Sequence, residues 1–269
     1  MIKPEEDSNR KDKLEAFDQL LTIMDELRLN CPWDKKQTWE TLRHLTVEEV
    51  YELSEAIIEN DVDEVKKELG DIMLHLVFYS KIAEEKFGFS IKDVLKGISE
   101  KMIHRHPHVY GDTSINNEED VKRNWEALKK KEGNNKTTLG GVPTSLPPLV
   151  KSIRIQSKAR GAGFDWDEKT QVWDKVQEEL QELTEAKTQK EKEDEFGDVL
   201  FSLVNYSRFI NVDPEEALER TNKKFMKRFN LMEKMVSEEG KELQEMSLTE
   251  MDEYWEKAKK ILRSKGQES

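Results

Sequence analysis

Apolar residues recur at intervals of three and four along most of this chain, and the elements they predict are helices. In KLEAFDQLLTIMDELRL, the residues Leu14, Phe17, Leu20, Leu21, Met24 and Leu27 share one face. The strings VEEVYELSEAIIE, VDEVKKELGDIMLHLVFYSKIAEEKFG, SIKDVLKGISEKMIHRH and NEEDVKRNWEALKKKEG continue the period. Few stretches alternate with the period of two that a half-buried strand requires, so the pattern predicts an all-α fold. KKEGNNKTTLGGVPTSLPP breaks it. Its glycines and prolines, with Asn and Thr between them, have linker composition. The expected division is an N-terminal domain over 1–130, a linker over 131–146 and a C-terminal domain over 147–269.

The order of features then repeats. CPWDKKQTWETL is answered by GFDWDEKTQVWDKV, and EEVYELSEAI by EELQELTEA. KKELGDIMLHLVFYSKIA is answered by EDEFGDVLFSLVNYSRFI, EKMIHRH by KKFMKRF, and NWEALKK by YWEKAKK. Helices in general share Glu, Lys and Leu, but that does not put Gly-Asp and Trp at corresponding places. A tandem duplication of one helical-bundle domain accounts for the order.

Each half carries two pairs of acids spaced by three, which puts both members on one helical face. They are Glu49 with Glu52 and Glu68 with Asp71, then Glu179 with Glu182 and Glu195 with Asp198. On a helical wheel Glu49 borders Val50, Leu53 and Ile57, which are expected to be buried, and Asp71, which precedes the apolar run Ile72, Met73, Leu74, Leu76, Val77, Phe78, is expected to be held close to the interior. Antiparallel packing of the two helices of a half would bring four carboxylates together. Such acids repel and raise one another's pKa unless a cation lies among them. All-oxygen donors suit Mg²⁺, with Mn²⁺ as a substitute, better than Zn²⁺. A di-iron bundle would want Glu-x-x-His pairs, and neither Asp71 nor Asp198 is a His. His104, His106 and His108 flank Pro107 and are expected to close a helix.

Lys plus Arg is 44 against 57 Asp plus Glu, a formal net charge of −13, which argues against a general nucleic-acid or membrane binder. A small polyanion would need metal ions or local basic residues. The single cysteine, Cys31, suits a reducing compartment. No apolar run approaches the ~18 residues of a membrane span, and the N-terminus has no signal-like apolar core. A cytoplasmic protein is expected.

In combination, CPWD, RHPHVY, GFDW and the two acid-bearing helix pairs resemble the MazG family of nucleoside triphosphate pyrophosphohydrolases, over nearly the whole chain. The resemblance implies tandem all-α domains that assemble as dimers. It implies Mg²⁺-dependent hydrolysis of NTPs and dNTPs, with broad base tolerance, to monophosphate and pyrophosphate. It assigns the metal to Glu179, Glu182, Glu195 and Asp198, with Glu49, Glu52, Glu68 and Asp71 as a weaker second set. It assigns the triphosphate to Lys175, Lys224 and Arg228, and the nucleoside side to Trp255. Glu191, Lys192, Glu193 and Asp194 would lie where substrate approaches, and Glu178 or Glu182 would act as general base. The halves differ where Lys175 faces Leu45, Asn205 faces Phe78 and Asn222 faces Ser99. These differences make the second half the expected principal hydrolase. The competing expectations are a narrow house-cleaning hydrolase for dUTP, dCTP or damaged nucleotides, and a non-catalytic Mg²⁺–nucleotide sensor or scaffold.

Overall fold

The computed structural model describes residues 7–112, 121, 124, 125, 128 and 137–264. Every regular element among them is a helix, so the fold is all-α. Most of the helix expected over 117–133, the residue Lys129 and the first part of the expected linker lie outside the described residues. The chain divides into two compact units, Met1–Trp125 and Glu126–Ser269.

In the first unit α1 (Arg10–Asn30) leads to α2 (Trp39–Glu59), α3 (Val62–Lys86), α4 (Ile91–Arg105) and the short α5 (Pro107–Tyr110). The turn between α2 and α3 is two residues long, and each has a task. Asn60 adopts the left-handed conformation at φ 55°, which ends α2, and the Asp61 carboxylate accepts the Glu64 N–H at 3.1 Å, which starts α3. So short a connection makes the two helices antiparallel neighbours. Met24, Leu42, Val77, Phe78 and Ile82 form the buried core, with Phe17, Leu20, Trp39, Leu45 and Leu74 against it.

In the second unit the order is α6 (Pro148–Gly161), α7 (Lys169–Glu185), α8 (Gln189–Phe209), α9 (Pro214–Glu238) and α10 (Leu248–Ser264). Helices α7 and α8 repeat the hairpin, and here Thr188 caps α8 by accepting the Glu191 N–H at 3.2 Å. Met232, Val236, Tyr254 and Ala258 join α9 to α10.

Two expectations about burial are corrected. Val50 and Ile57 do not face the core; they are 51% and 57% exposed, and α2 instead buries Leu42 and Ala56. The core lies toward α1 and α3, so the helix is turned away from the stripe chosen by spacing alone. On α3 it is Glu68, not Asp71, that is driven inside: Glu68 is 0% exposed and Asp71 half-buried. The histidine block does close a helix. His106 follows the last residue of α4, its Nδ1 lies 2.7 Å from the Met102 carbonyl, and Pro107 opens α5.

Candidate active site

Glu49 and Glu52 on α2 meet Glu68 on α3, each offering an oxygen, and these oxygens all lie within 4.8 Å of one another. The outer oxygen of Glu68, Oε1, receives the Lys67 ammonium at 3.0 Å, while Lys67 also reaches Glu64 at 2.6 Å. The other oxygen, Oε2, is buried with no hydrogen-bond partner. Burial, followed by a hydrogen bond to Glu68 and repulsion from Asp71, Glu52 and Glu68, pushes the Glu49 carboxyl above the usual range. Lys67 holds Glu68 below it. Asp71 is not among the three clustered acids, though it lies close enough to act on Glu49. One turn further, His75 is buried, which lowers its pKa, and the Asp71 charge partly offsets that.

The second unit rebuilds the arrangement. Glu179 and Glu182 on α7 and Glu195 on α8 bring their oxygens within 4.8 Å of one another. Glu179 is the buried member, 7% exposed. Lys175, one turn before it on α7, bonds both Glu178 and Glu179 at 2.8 Å. Burial and then the charges of Glu179 and Glu195 push the Glu182 carboxyl up, with Lys175 opposing. Asp198 is exposed and stands outside the clustered three.

These two sets fit a hard divalent cation. The donors are all oxygen, burial and then mutual repulsion raise a member of each, and Glu68 Oε2 is a buried acceptor without a donor. Such an oxygen costs free energy unless a donor or cation reaches it.

The remaining predicted residues fall into separate groups. Glu191 is engaged as a cap: its carboxylate accepts the Lys187 and Thr188 N–H groups at 2.8 and 2.9 Å, which holds its pKa down. Glu193 accepts from Gln189 at 3.1 Å, and Lys192 and Asp194 are exposed in the first two turns of α8. Asn205 is buried, and its carbonyl takes the Arg208 guanidinium at 3.0 and 2.6 Å. Arg208 in turn reaches Asp165 of the GFDWD loop at 2.6 Å. Asn222 contacts Glu219 at 3.4 Å, and Lys224 is exposed on α9. Arg228 lies over the Trp255 ring at 5.8 Å, and Phe225 sits 5.1 Å from the same ring. These three residues join α9 to α10.

Sequence reasoning missed Lys67 and Arg208. Position matching compares Lys175 with Leu45 and finds a loss, so a lysine arriving from the other helix of the hairpin goes unseen. The signal was present in KKELGD, where Lys67 is next to Glu68 and three residues from Glu64.

A helical hairpin sets facing glutamates on adjacent helices twice in one chain, an all-α acid-cluster protein, and comparison with known proteins gives the class its name. The MazG nucleotide pyrophosphohydrolase domain matches residues 37–110, which include Glu49, Glu52, Glu68 and Asp71. The nucleoside triphosphate pyrophosphohydrolase/pyrophosphatase MazG of Thermotoga maritima is 46% identical, over 90% of this chain and 95% of its own. The nucleoside triphosphate pyrophosphohydrolase of Escherichia coli K12 is 39% identical, over 92% of this chain and 98% of its own. An uncharacterized Bacillus subtilis protein, YabN, is 46% identical over 92% of this chain and 52% of its own. The chain belongs to the MazG family of nucleotide pyrophosphohydrolases. No helix among the described residues is long and apolar enough to cross a membrane.

Proposed function

We propose that this chain hydrolyses nucleoside triphosphates, ribo and deoxy alike, to the monophosphate and pyrophosphate, using Mg²⁺ or Mn²⁺. The observation that carries this reading is the repeated set of three glutamates on facing helices. Glu179, Glu182, Glu195 and Asp198 would hold the ion of the principal site, and Glu49, Glu52, Glu68 and Asp71 that of a second, weaker one. A divalent ion held there supplies charge for the triphosphate and orientation for water.

The chain's own residues do the rest. Lys175, Lys224 and Arg228 offset charge on the phosphate oxygens and on departing pyrophosphate. Glu178 or Glu182 accepts the proton of the water that attacks the α-phosphorus; pH–rate profiles of the two glutamine variants separate them. Asn205 holds Arg208, Glu191 fixes the start of α8, and Lys192, Glu193, Asp194 and Asn222 border the approach. Trp255 packs against the nucleoside without reading base edges, hence the broad base tolerance. A cytoplasmic setting suits both the nucleotide substrate and the lone cysteine.

The test is pyrophosphate release from eight NTPs and dNTPs with Mg²⁺, for the parent and for Glu195→Ala. Release across the panel, lost in the variant, is expected. Release confined to one or two nucleotides replaces this reading with the narrow hydrolase. Nucleotide binding without release replaces it with the sensor.

We further propose a homodimer. Phe196, Leu200 and Leu203 lie on one face of α8 and are exposed, and Leu69, Met73 and Leu76 do the same at the matching places of α3. Two such stripes are costly to leave in water. Leu200→Glu is expected to move the sedimenting species toward monomer; a parent that already sediments as a monomer at micromolar concentration ends this reading.

A further inference from the structure

The two acid clusters are not copies in one respect: the buried carboxylate has changed helix. In the first unit the buried member is Glu68 on α3, while its partner Glu49 on α2 is half-buried. In the second unit the buried member is Glu179 on α7, while Glu195 on α8 is half-buried. By sequence position Glu49 corresponds to Glu179, and Glu68 to Glu195, so burial has crossed the hairpin.

The lysine has crossed with it. Lys67 lies on the same helix as Glu68 and bonds it at 3.0 Å; Lys175 lies on the same helix as Glu179 and bonds it at 2.8 Å. Where the second unit has Lys175 the first has Leu45, and where the first has Lys67 the second has Asp194. A buried carboxylate needs a compensating charge, and in each unit the ammonium is found on the carboxylate that is most buried. Each ammonium is also shared with a more exposed glutamate, Glu64 or Glu178. That leaves it on the water side of the cluster.

We propose that Lys67 is the built-in counter-ion of the first acid cluster, the equivalent of Lys175 delivered from the opposite helix, and that its charge weakens that cluster's hold on a divalent cation. This rests on the reading of the clusters as divalent-cation sites. Lys67 occupies only the outer oxygen of Glu68; Oε2, without a hydrogen-bond partner, remains for the ion. The ion therefore binds beside the ammonium and against its charge. Like charges a few ångströms apart at a protein surface repel by an amount that changes affinity ~10-fold or more. It follows that the first unit is not missing a cation. Its affinity is set by one supplied from a place that position-by-position comparison does not inspect.

The test measures Mn²⁺ binding to the full chain from the electron paramagnetic resonance of the free ion. A Glu195→Ala background breaks the second cluster and leaves the first to be read alone. Lys67→Met is expected to bind Mn²⁺ about tenfold tighter than this parent, and Lys67→Arg, which keeps the charge, about as tightly as the parent. Unchanged or weaker binding in Lys67→Met overturns the counter-ion role while leaving the metal reading intact. Tighter binding in Lys67→Arg as well overturns it too, because charge would then not be the cause. Absence of Mn²⁺ binding in all three proteins overturns both at this cluster. Pyrophosphate release by the unmodified chain judges the proposed activity separately.

Discussion

Glu179→Ala is expected to lower the rate of pyrophosphate release about 100- to 1000-fold, while Glu49→Ala leaves at least about a tenth of the activity. Glu179 is the buried member of the second cluster and carries a Lys175 contact, so its loss removes a proposed ligand and leaves the ammonium on Glu178 alone of this pair. The fourth acid of the second set is also the more open one. Each cluster has one buried, one half-buried and one exposed member, but Asp198 is exposed to an approaching ion and substrate whereas Asp71 is half-buried. Steady-state rates at saturating Mg²⁺ and nucleotide for the two single variants decide between the halves. A larger loss from Glu49→Ala would make the first half principal. That outcome would agree with the position of the matched domain at residues 37–110.

The ranking of the halves was argued from three substitutions, and the structure treats them differently. Lys175 against Leu45 is offset by Lys67. Asn205 against Phe78 is a real difference, but Phe78 is core and Asn205 works by holding Arg208. Asn222 against Ser99 is a difference whose amide contacts Glu219 at 3.4 Å. Beyond these three, Arg228 over Trp255 is mirrored by Arg105 over Trp125, at 5.8 and 5.6 Å. The exposure of Asp198 therefore supports the priority of the second half more than a missing lysine in the first does.

Helix identity, the repeated order and the six clustered glutamates were legible in the sequence, because a period of 3.6 and a spacing of three are local properties. Which acid is buried was not, because burial depends on how each hairpin rotates against its neighbours. Leu42 and Ala56 define the inner face of α2, and this face is off the line through Val50, Leu53 and Ile57. Asp71 and Asp198 stand outside the closest groups of three. Lys67 was illegible for a different reason: an ion pair is defined by where two side chains end, and one end can move between helices while the contact survives.

Arg28→Ala is expected to destabilise the first unit by about 3 kcal/mol, the largest stability effect of any single charge in it. The Arg28 side chain is 7% exposed and ties three segments together. Its guanidinium donates to both oxygens of Glu85 on α3, one of them at 2.9 Å. It also donates to the Asp34 carbonyl and, at 3.4 Å, to the Gln37 carbonyl, and it lies 5.5 Å from the Phe78 ring. Removing it leaves a carboxylate and two carbonyls to find water in a partly closed space. Glu85→Gln keeps the packing and removes the charge, so its cost is smaller, about 2 kcal/mol at neutral pH. The Arg28 guanidinium holds the Glu85 carboxyl below its ordinary range. A lowered folded pKa means that the contribution is present above the unfolded value near about 4.3 and drains away as pH falls through the folded value. The stability gap between the parent and Glu85→Gln is therefore expected to be constant near neutrality and to close in acid below about pH 4. Urea unfolding of the parent and both variants at neutral and acid pH, followed through the transition of the first unit, reads the gap directly. A gap that persists unchanged in acid would show that the cost of Glu85→Gln does not come from the ionised pair.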